Sequence, residues 1–270
     1  MRVAAWQAPY LPFGSMDAVG LLRVQLSRCE AEGVAVLCCP EAVIGGLAHE
    51  SSGDSPAEVA LTVAELTEVV APLLDSTVTV IVGFTERDPA GGLYGSAAVL
   101  RDGRVADVYR KVYPGYRTVI GAGAALPVFE SPLPFGIVIC NDLWYVEPTR
   151  VLAAGGAAVI FVPTHSGHLR EPSASFRARG DNLPIARAVE NSVTVVVADV
   201  AGRQGERFAY GFSAVIDPDG QVLTRATSGT EELLIADVEP RRRDAKDPRG
   251  WDGHTNPAVT RAFLRLWQPD

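Results

Sequence analysis

Cysteine and histidine are scarce in this 270-residue chain, with four of each. No apolar run is long enough to cross a bilayer, so a membrane partner is not expected. The cysteines, Cys29, Cys38, Cys39 and Cys140, are too few and too unevenly placed to frame a disulfide-stapled fold. They fit a reducing cytoplasm, where a thiol stays free for use. Zinc is disfavoured by the same poverty: there is no CxxC, no HExxH, and the histidines are scattered. Positive charge is also short. The formal net charge is −8, and the one basic cluster, Arg241-Arg242-Arg243, is followed closely by Asp244 and Asp247. A nucleic-acid surface needs a sustained positive stripe, and none is present. The opening Met-Arg-Val-Ala-Ala-Trp-Gln-Ala-Pro lacks the uncharged core and small-residue cleavage site of a secretory signal. What is abundant is apolar residues, 47% of the chain, ample for a buried core in a soluble, slightly acidic protein.

Short apolar runs alternate with amphipathic ones. Residues 2–7, 34–39, 78–84, 136–140, 157–162, 193–200 and 233–238 read as strands, several of them apolar throughout and therefore buried on both faces. Residues 17–33 carry Val19, Leu22 and Leu26 at helical spacing and stop at Gly33. Residues 55–74 read as a helix that Ser55 caps, with Pro56 in its first turn. Helices are also expected over 148–154, 175–191 and, in a polar tail from about Pro240, over 258–267. Asp102-Gly103 and Pro218-Asp219-Gly220 mark two hairpins, between 95–100 and 104–109 and between 209–216 and 222–226. This order predicts a single α/β domain over 1–270 with parallel and antiparallel pairing.

Three residues of chemical interest sit just past predicted strands, where α/β sheets gather their sites. Cys140 ends Gly-Ile-Val-Ile and precedes Asn-Asp-Leu-Trp. A thiol attacks as the thiolate, so it needs a base or a cation beside it. Taken alone, Cys140 is as readily a buried structural cysteine, and Cys38 and Cys39, inside an apolar run, fit that role better. Glu41 is a lone carboxylate between Pro40 and Ala42-Val43-Ile44-Gly45-Gly46, suited to a general base but, taken alone, more readily a helix-start carboxylate. Lys111, in Tyr-Arg-Lys-Val-Tyr-Pro-Gly, is either an oxyanion-stabilising cation or a solvated surface lysine.

The setting of these residues decides between the readings. Val3-Ala4-Ala5-Trp6-Gln7, Cys39-Pro40-Glu41, Tyr109-Arg110-Lys111, Gly136-Ile137-Val138-Ile139-Cys140-Asn141-Asp142 with Glu147-Pro148, Arg187-Ala188-Val189-Glu190-Asn191, and Gly211-Phe212-Ser213 through Pro218-Asp219-Gly220 follow one another in the order found in the nitrilase superfamily of carbon–nitrogen hydrolases. The chain resembles that superfamily over roughly residues 2–240. The resemblance implies a four-layer αββα sandwich and the pairing of subunits, through helices, into a homodimer or larger homo-oligomer. It implies Glu41 as base and acid, Cys140 as nucleophile, and Lys111 with a backbone N–H near Asn141 as the oxyanion site. No metal and no organic cofactor are implied.

Three departures bear on the substrate. Many relatives carry a second glutamate beyond the lysine, whereas here residues 113–121 hold no carboxylate. Asn141-Asp142 after the cysteine is closer to amidases and N-carbamoyl hydrolases than to true nitrilases, yet Leu143-Trp144 stand where carbamoyl hydrolases often place two arginines. The segment Phe161-Val162-Pro163-Thr164-His165-Ser166-Gly167-His168 aligns with a pocket-lining stretch. Asn141, His165, Trp144 and Tyr113 are accordingly the expected substrate-binding residues, with Tyr116 as a further wall and Arg170 and Arg177 within reach. The expected substrate is a small amide or carbamoyl compound. Acyl transfer to an amine through the same thioester, and a non-catalytic binding role, are the alternatives.

Overall fold

The computed structural model describes residues 1–169, 174–227 and 229–239 and the single positions 241, 258, 261 and 265. The tail helix expected over 258–267 and Arg170 therefore lie largely or wholly outside the described residues.

Both faces of β1 (Arg2–Pro9) are buried: Val3 and Ala5 point one way, Ala4 and Trp6 the other. α1 (Ala18–Ala31) then lays Leu22, Leu26 and Cys29 onto the Trp6 side. β2 (Val36–Cys38), α2 (Val63–Val69) and β3 (Thr79–Arg87) follow, the strands adding in parallel beside β1. β4 (Leu93–Arg101) and β5 (Arg104–Arg110) turn back antiparallel through Asp102 and Gly103, whose φ values of 54° and 73° suit a tight hairpin turn. β6 (Ile120–Gly121) pairs with β4.

β7 (Phe135–Ile137), α3 (Val146–Ala154) and β8 (Val159–Pro163) open a second sheet, and β9 (Gly167–His168), α4 (Ala174–Asn191) and β10 (Thr194–Ala198) follow. β11 (Val200–Gln204), β12 (Arg207–Tyr210), β13 (Ala214–Ile216), β14 (Val222–Arg225) and β15 (Glu232–Asp237) complete the described strands. One sheet runs β5-β4-β3-β2-β1-β11-β12-β9 with β15 also on β1, and the other runs β14-β13-β10-β8-β7.

The sheets pack face to face. Val3, Ala5, Cys38 and Ile81 of the first meet Phe135, Phe161, Val196 and Val215 of the second. The outer face of the first sheet lies under α1 and α2, where Leu22 and Leu66 cover Leu37, Val80 and Val82. The outer face of the second lies under α3 and α4, where Leu152 and Ala188 cover Ile160 and Val195. The architecture is the αββα sandwich, with both sheets mixed. Among the described residues no helix is long and apolar enough to cross a membrane.

Two sequence expectations are corrected. The helix over 55–74 is broken. Ser55 makes no side-chain cap; Leu61 instead pairs with the edge of β3, its N–H donating to Thr85 O and its carbonyl accepting from Arg87 N. The helix starts afresh at the Thr62–Glu65 capping box and ends before Pro72, which has no N–H for the next turn. Runs 193–200 and 209–216 are each divided between the two sheets. The first divides at Asp199 and the second around Gly211, whose φ is 80° and whose missing Cβ would lie 2.5 Å from Gln7 Oε1. The buried Asp199 carboxylate fixes both crossings: it accepts from Val200 N at 2.8 Å, Phe212 N at 2.9 Å and, on the loop after β8, Ser166 N at 2.9 Å.

One glycine seats the Glu41 loop on the first sheet. A Cβ on Gly83, inside β3, would stand 2.4 Å from Pro40 O and from Ala42 N. The absence of a side chain there lets the loop lie directly against the strand. Gly83→Ala is expected to destabilise the protein by about 1–3 kcal/mol through overpacking. Urea unfolding checks this, and an unchanged midpoint would show that the loop is not seated on Gly83.

Candidate active site

Each of the three strand ends delivers one side chain to a common point. Glu41 follows β2 on a loop tied across to β8, its N–H donating to Thr164 O at 3.2 Å. Ala42 takes φ 47°, a costly region for a residue with a side chain, and this turns the chain sharply after the carboxylate. Lys111 follows β5, its N–H on Gly95 O and its carbonyl accepting from Gly123 N. Its neighbour Arg110 points the opposite way, as strand alternation requires, into an ion pair with Glu86 at 2.6 Å that Ser96 Oγ supports. Cys140 follows β7 at φ 43° and opens the short 3-10 helix Cys140–Trp144.

Lys111 Nζ donates to Glu41 Oε1 at 2.5 Å, with side-chain exposures of 8% and 7%. Burial draws the Lys111 ammonium down, but the Glu41 carboxylate, aided by Cys140 and Asp142, outweighs it and holds the ammonium above its ordinary value. Burial pushes the Cys140 thiol up to about 12; the Glu41 carboxylate adds to this, while Lys111 and a backbone hydrogen bond from His165 oppose it. The resting sulfur is therefore a thiol, and it has to lose its proton to a neighbour before it attacks.

Asp142 ties this arrangement together. Its carboxylate accepts from Ile139 N at 2.9 Å, from Tyr109 Oη at 2.8 Å and from Tyr113 N at 2.8 Å. Tyr109 and Tyr113 bracket Lys111, so one buried carboxylate in the cysteine turn fixes the lysine strand from both sides. In the sequence Asp142 was visible only as part of a motif.

Two cavities meet at Cys140. The larger, of about 640 Å³, is lined by Glu41, Lys111 and Cys140 together with His49, Tyr116, Asn141 and His165. The smaller, of about 250 Å³, shares Cys140, Asn141 and His165 and is walled mostly by Trp144 and by apolar side chains of α4 and its neighbours, with Thr164, Ser166 and His168 also in its lining. Of the expected binding residues, Asn141 and His165 thus line both cavities and Trp144 lines the smaller. Tyr113 lines neither: its ring stacks on Tyr145 at 3.8 Å, while its carbonyl accepts from Asn141 Nδ2. Arg177 lies over the Tyr210 ring.

Sequence reasoning missed His49, whose Nε2 is 3.0 Å from Tyr10 Oη and whose ring meets His165 edge-on. Burial, with Arg207, lowers His49 to about 4, and burial, with His49, lowers His165 to about 3. Both imidazoles are neutral near pH 7 and can serve as donors or acceptors without adding charge. No local pattern marks His49, because Tyr10 and His165 reach it from distant parts of the chain. Among the described residues no cluster of metal-ligating side chains is present. A thiol, a carboxylate and an ammonium around one cavity form a set able to carry nucleophilic attack with proton transfer and anion stabilisation.

Residues 2–247 match the sequence profile of the family described as Carbon-nitrogen hydrolase. The chain belongs to the carbon-nitrogen hydrolase family. It is 28% identical to a glutamine-dependent NAD(+) synthetase of Xylella fastidiosa over 98% of this chain and 50% of that protein. It is 31% identical to an omega-amidase of Mus musculus over 62% of this chain and 64% of that protein. Against the solved structure of an amidase from Nesterenkonia sp. AN1, in which acrylamide has added to the active-site cysteine, it has a TM-score of 0.78 at 21% identity, covering 99% of this chain and 100% of that one. That likeness establishes the fold. The chain spans half or less of the NAD(+) synthetases it matches, 50%, 44% and 40% of their lengths.

Because Cys140 rests as a thiol, its alkylation by iodoacetamide is expected to rise about tenfold per pH unit from about pH 7 to about pH 10, tracking the thiolate fraction. Peptide-level mass spectrometry measures this against Cys140→Ala as background. A rate already level below about pH 8 would show a resting thiolate and contradict the assignment.

Proposed function

We propose that the chain hydrolyses the C–N bond of a small amide through a thioester on Cys140. The observation that carries this reading is the enclosure of Glu41, Lys111 and Cys140 on one cavity wall, with the carboxylate and ammonium in direct contact. Glu41 takes the thiol proton as Sγ attacks the carbonyl carbon, and the C=O electron pair moves onto oxygen. Lys111 and a backbone N–H near Asn141 hold that anion. When the pair returns, the C–N bond breaks and the departing nitrogen takes the proton from Glu41. Glu41 next removes a proton from water as the hydroxide adds to the thioester. Collapse releases the carboxylic acid, and Cys140 recovers its proton from Glu41. One carboxylate thus serves as base and acid in turn.

A carboxamide is favoured over a carbamoyl group or a nitrile. The relatives named omega-amidase and deaminated glutathione amidase support this, as do the glutamine-dependent synthetases, since glutamine ends in a primary carboxamide. The Leu143-Trp144 pair points the same way, because it supplies no cation for an amino-acid carboxylate. We also take the chain to pair with a second copy through its outer helices, where Val146, Val151 and Val189 stay exposed.

Ammonia release from a panel of amides, carbamoyl compounds and nitriles tests the reading. Glu41→Gln is expected to lower turnover about 10²–10⁴-fold, and loss of the Lys111 ammonium about 10²–10³-fold. Cys140→Ala is expected to abolish it. Ammonia still released by Cys140→Ala from an amide that the native chain consumes would rule out the thioester.

A further inference from the structure

The smaller cavity has no task in the proton transfers above, yet Cys140 lines it as it lines the larger one. We infer that it receives the acyl substituent of the substrate and selects an apolar one, an assignment that rests on the hydrolytic reading. Once Sγ has added to the carbonyl carbon, that carbon carries three other groups: the oxygen anion, the nitrogen and the acyl substituent. The anion belongs with Lys111 and the nitrogen with Glu41. Both of those side chains line the larger cavity, and neither lines the smaller. The tetrahedral geometry sends the third group away from them, and the space on that side is the smaller cavity.

Its chemistry fixes what the third group is. Leu143, Trp144, Phe176, Leu183, Pro184 and Phe212 form most of the wall; Thr164, Ser166, His168 and the shared Asn141 and His165 add neutral polar groups, and no carboxylate, ammonium or guanidinium of the described residues lines it. The Phe176 ring stands 6.0 Å from both Trp144 and Phe212, making a continuous aromatic surface. Arg179 lies over Trp144 and Phe176, its guanidinium carbon 5.3 Å and 5.8 Å from their ring centres, without lining the cavity. A charged acyl group would be desolvated there with neutral polar neighbours and no counter-charge. An apolar cavity of about 150 Å³ suffices for benzene, so 250 Å³ accommodates a phenyl ring or an alkyl chain of similar bulk.

Ammonia release is measured for acetamide through hexanamide, phenylacetamide and glutamine, with the native chain, Leu183→Trp and Phe176→Ala, each checked for folding by circular dichroism. In the native chain kcat/KM is expected to climb about fourfold per added methylene, the partition of one buried CH₂. Leu183→Trp fills the cavity and is expected to flatten the series. Phe176→Ala widens it and is expected to move the optimum to bulkier acyl groups. Ammonia released without chain-length preference, or a preference for glutamine over pentanamide, overturns the acyl assignment and leaves the hydrolytic reading standing. A chain-length gradient untouched by both variants overturns it as well. No ammonia from any amide overturns the hydrolytic reading and this assignment with it.

Discussion

The rest of the structure is organised around a buried ion pair. Lys111 and Glu41 meet at 2.5 Å with almost no exposure on either side chain. Removing two such charges from water costs several kcal/mol per ion, and mutual attraction compensates only when the geometry is held tightly. The two residues lie 70 positions apart and end different strands. The sheet must therefore hold the ends of β2 and β5 in fixed relation, which it does through the continuous order β5-β4-β3-β2. Gly83 gives the Glu41 loop its seat on β3, and Gly95 accepts the Lys111 N–H on β4. The second sheet contributes its part through the Glu41 N–H on Thr164 O.

A pair this well matched would be inert without the thiol. Cys140 is brought against it by a turn at positive φ, a conformation that costs of order 1–3 kcal/mol and persists only where its surroundings impose it. The surroundings here are the hydrogen bonds of Asp142, which join the turn to both flanks of Lys111. Asp199 does the same for the other side of the site. Burial, opposed by its N–H donors, raises its carboxyl to about 6, and those N–H groups belong to the His165 loop and to both strands that change sheet. Two buried carboxylates thus act on position, one holding the chemical groups and the other holding the wall opposite them.

How much of this was legible in the sequence depends on how local each signal is. β8, β10 and the central stretches of β1 and β3 announce themselves because strands covered on both faces read as near-continuous apolar runs. The Asp102-Gly103 turn is equally local. Glu41, Lys111 and Cys140 were ambiguous one by one, and only their order along the whole chain raised them. The sheet crossings at Asp199 and Gly211 were not legible, since a valine-rich run looks the same whether it stays in one sheet or leaves it. The broken helix over 55–74 was half legible: Thr62-x-x-Glu65 and Pro72 were present, but the pairing of Leu61 with β3 is a long-range event. Tyr113 shows the limit for side chains. Its place beside Lys111 suggested a pocket wall, yet alternation after the strand turned the ring onto Tyr145.

The division of the space around Cys140 also accounts for the oddities of the sequence after the cysteine. Leu143-Trp144 occupies positions where related sequences can carry cations, and in the fold both side chains face the smaller cavity. A cation turned into that cavity would face Phe176 and Phe212 with no carboxylate among the described lining residues, so the aromatic wall and the absence of arginines at these two positions go together. The larger cavity is the charged one: Glu41, Glu50 and Lys111 all line it. Charge is concentrated where bonds change and withheld where the remainder of a substrate would rest.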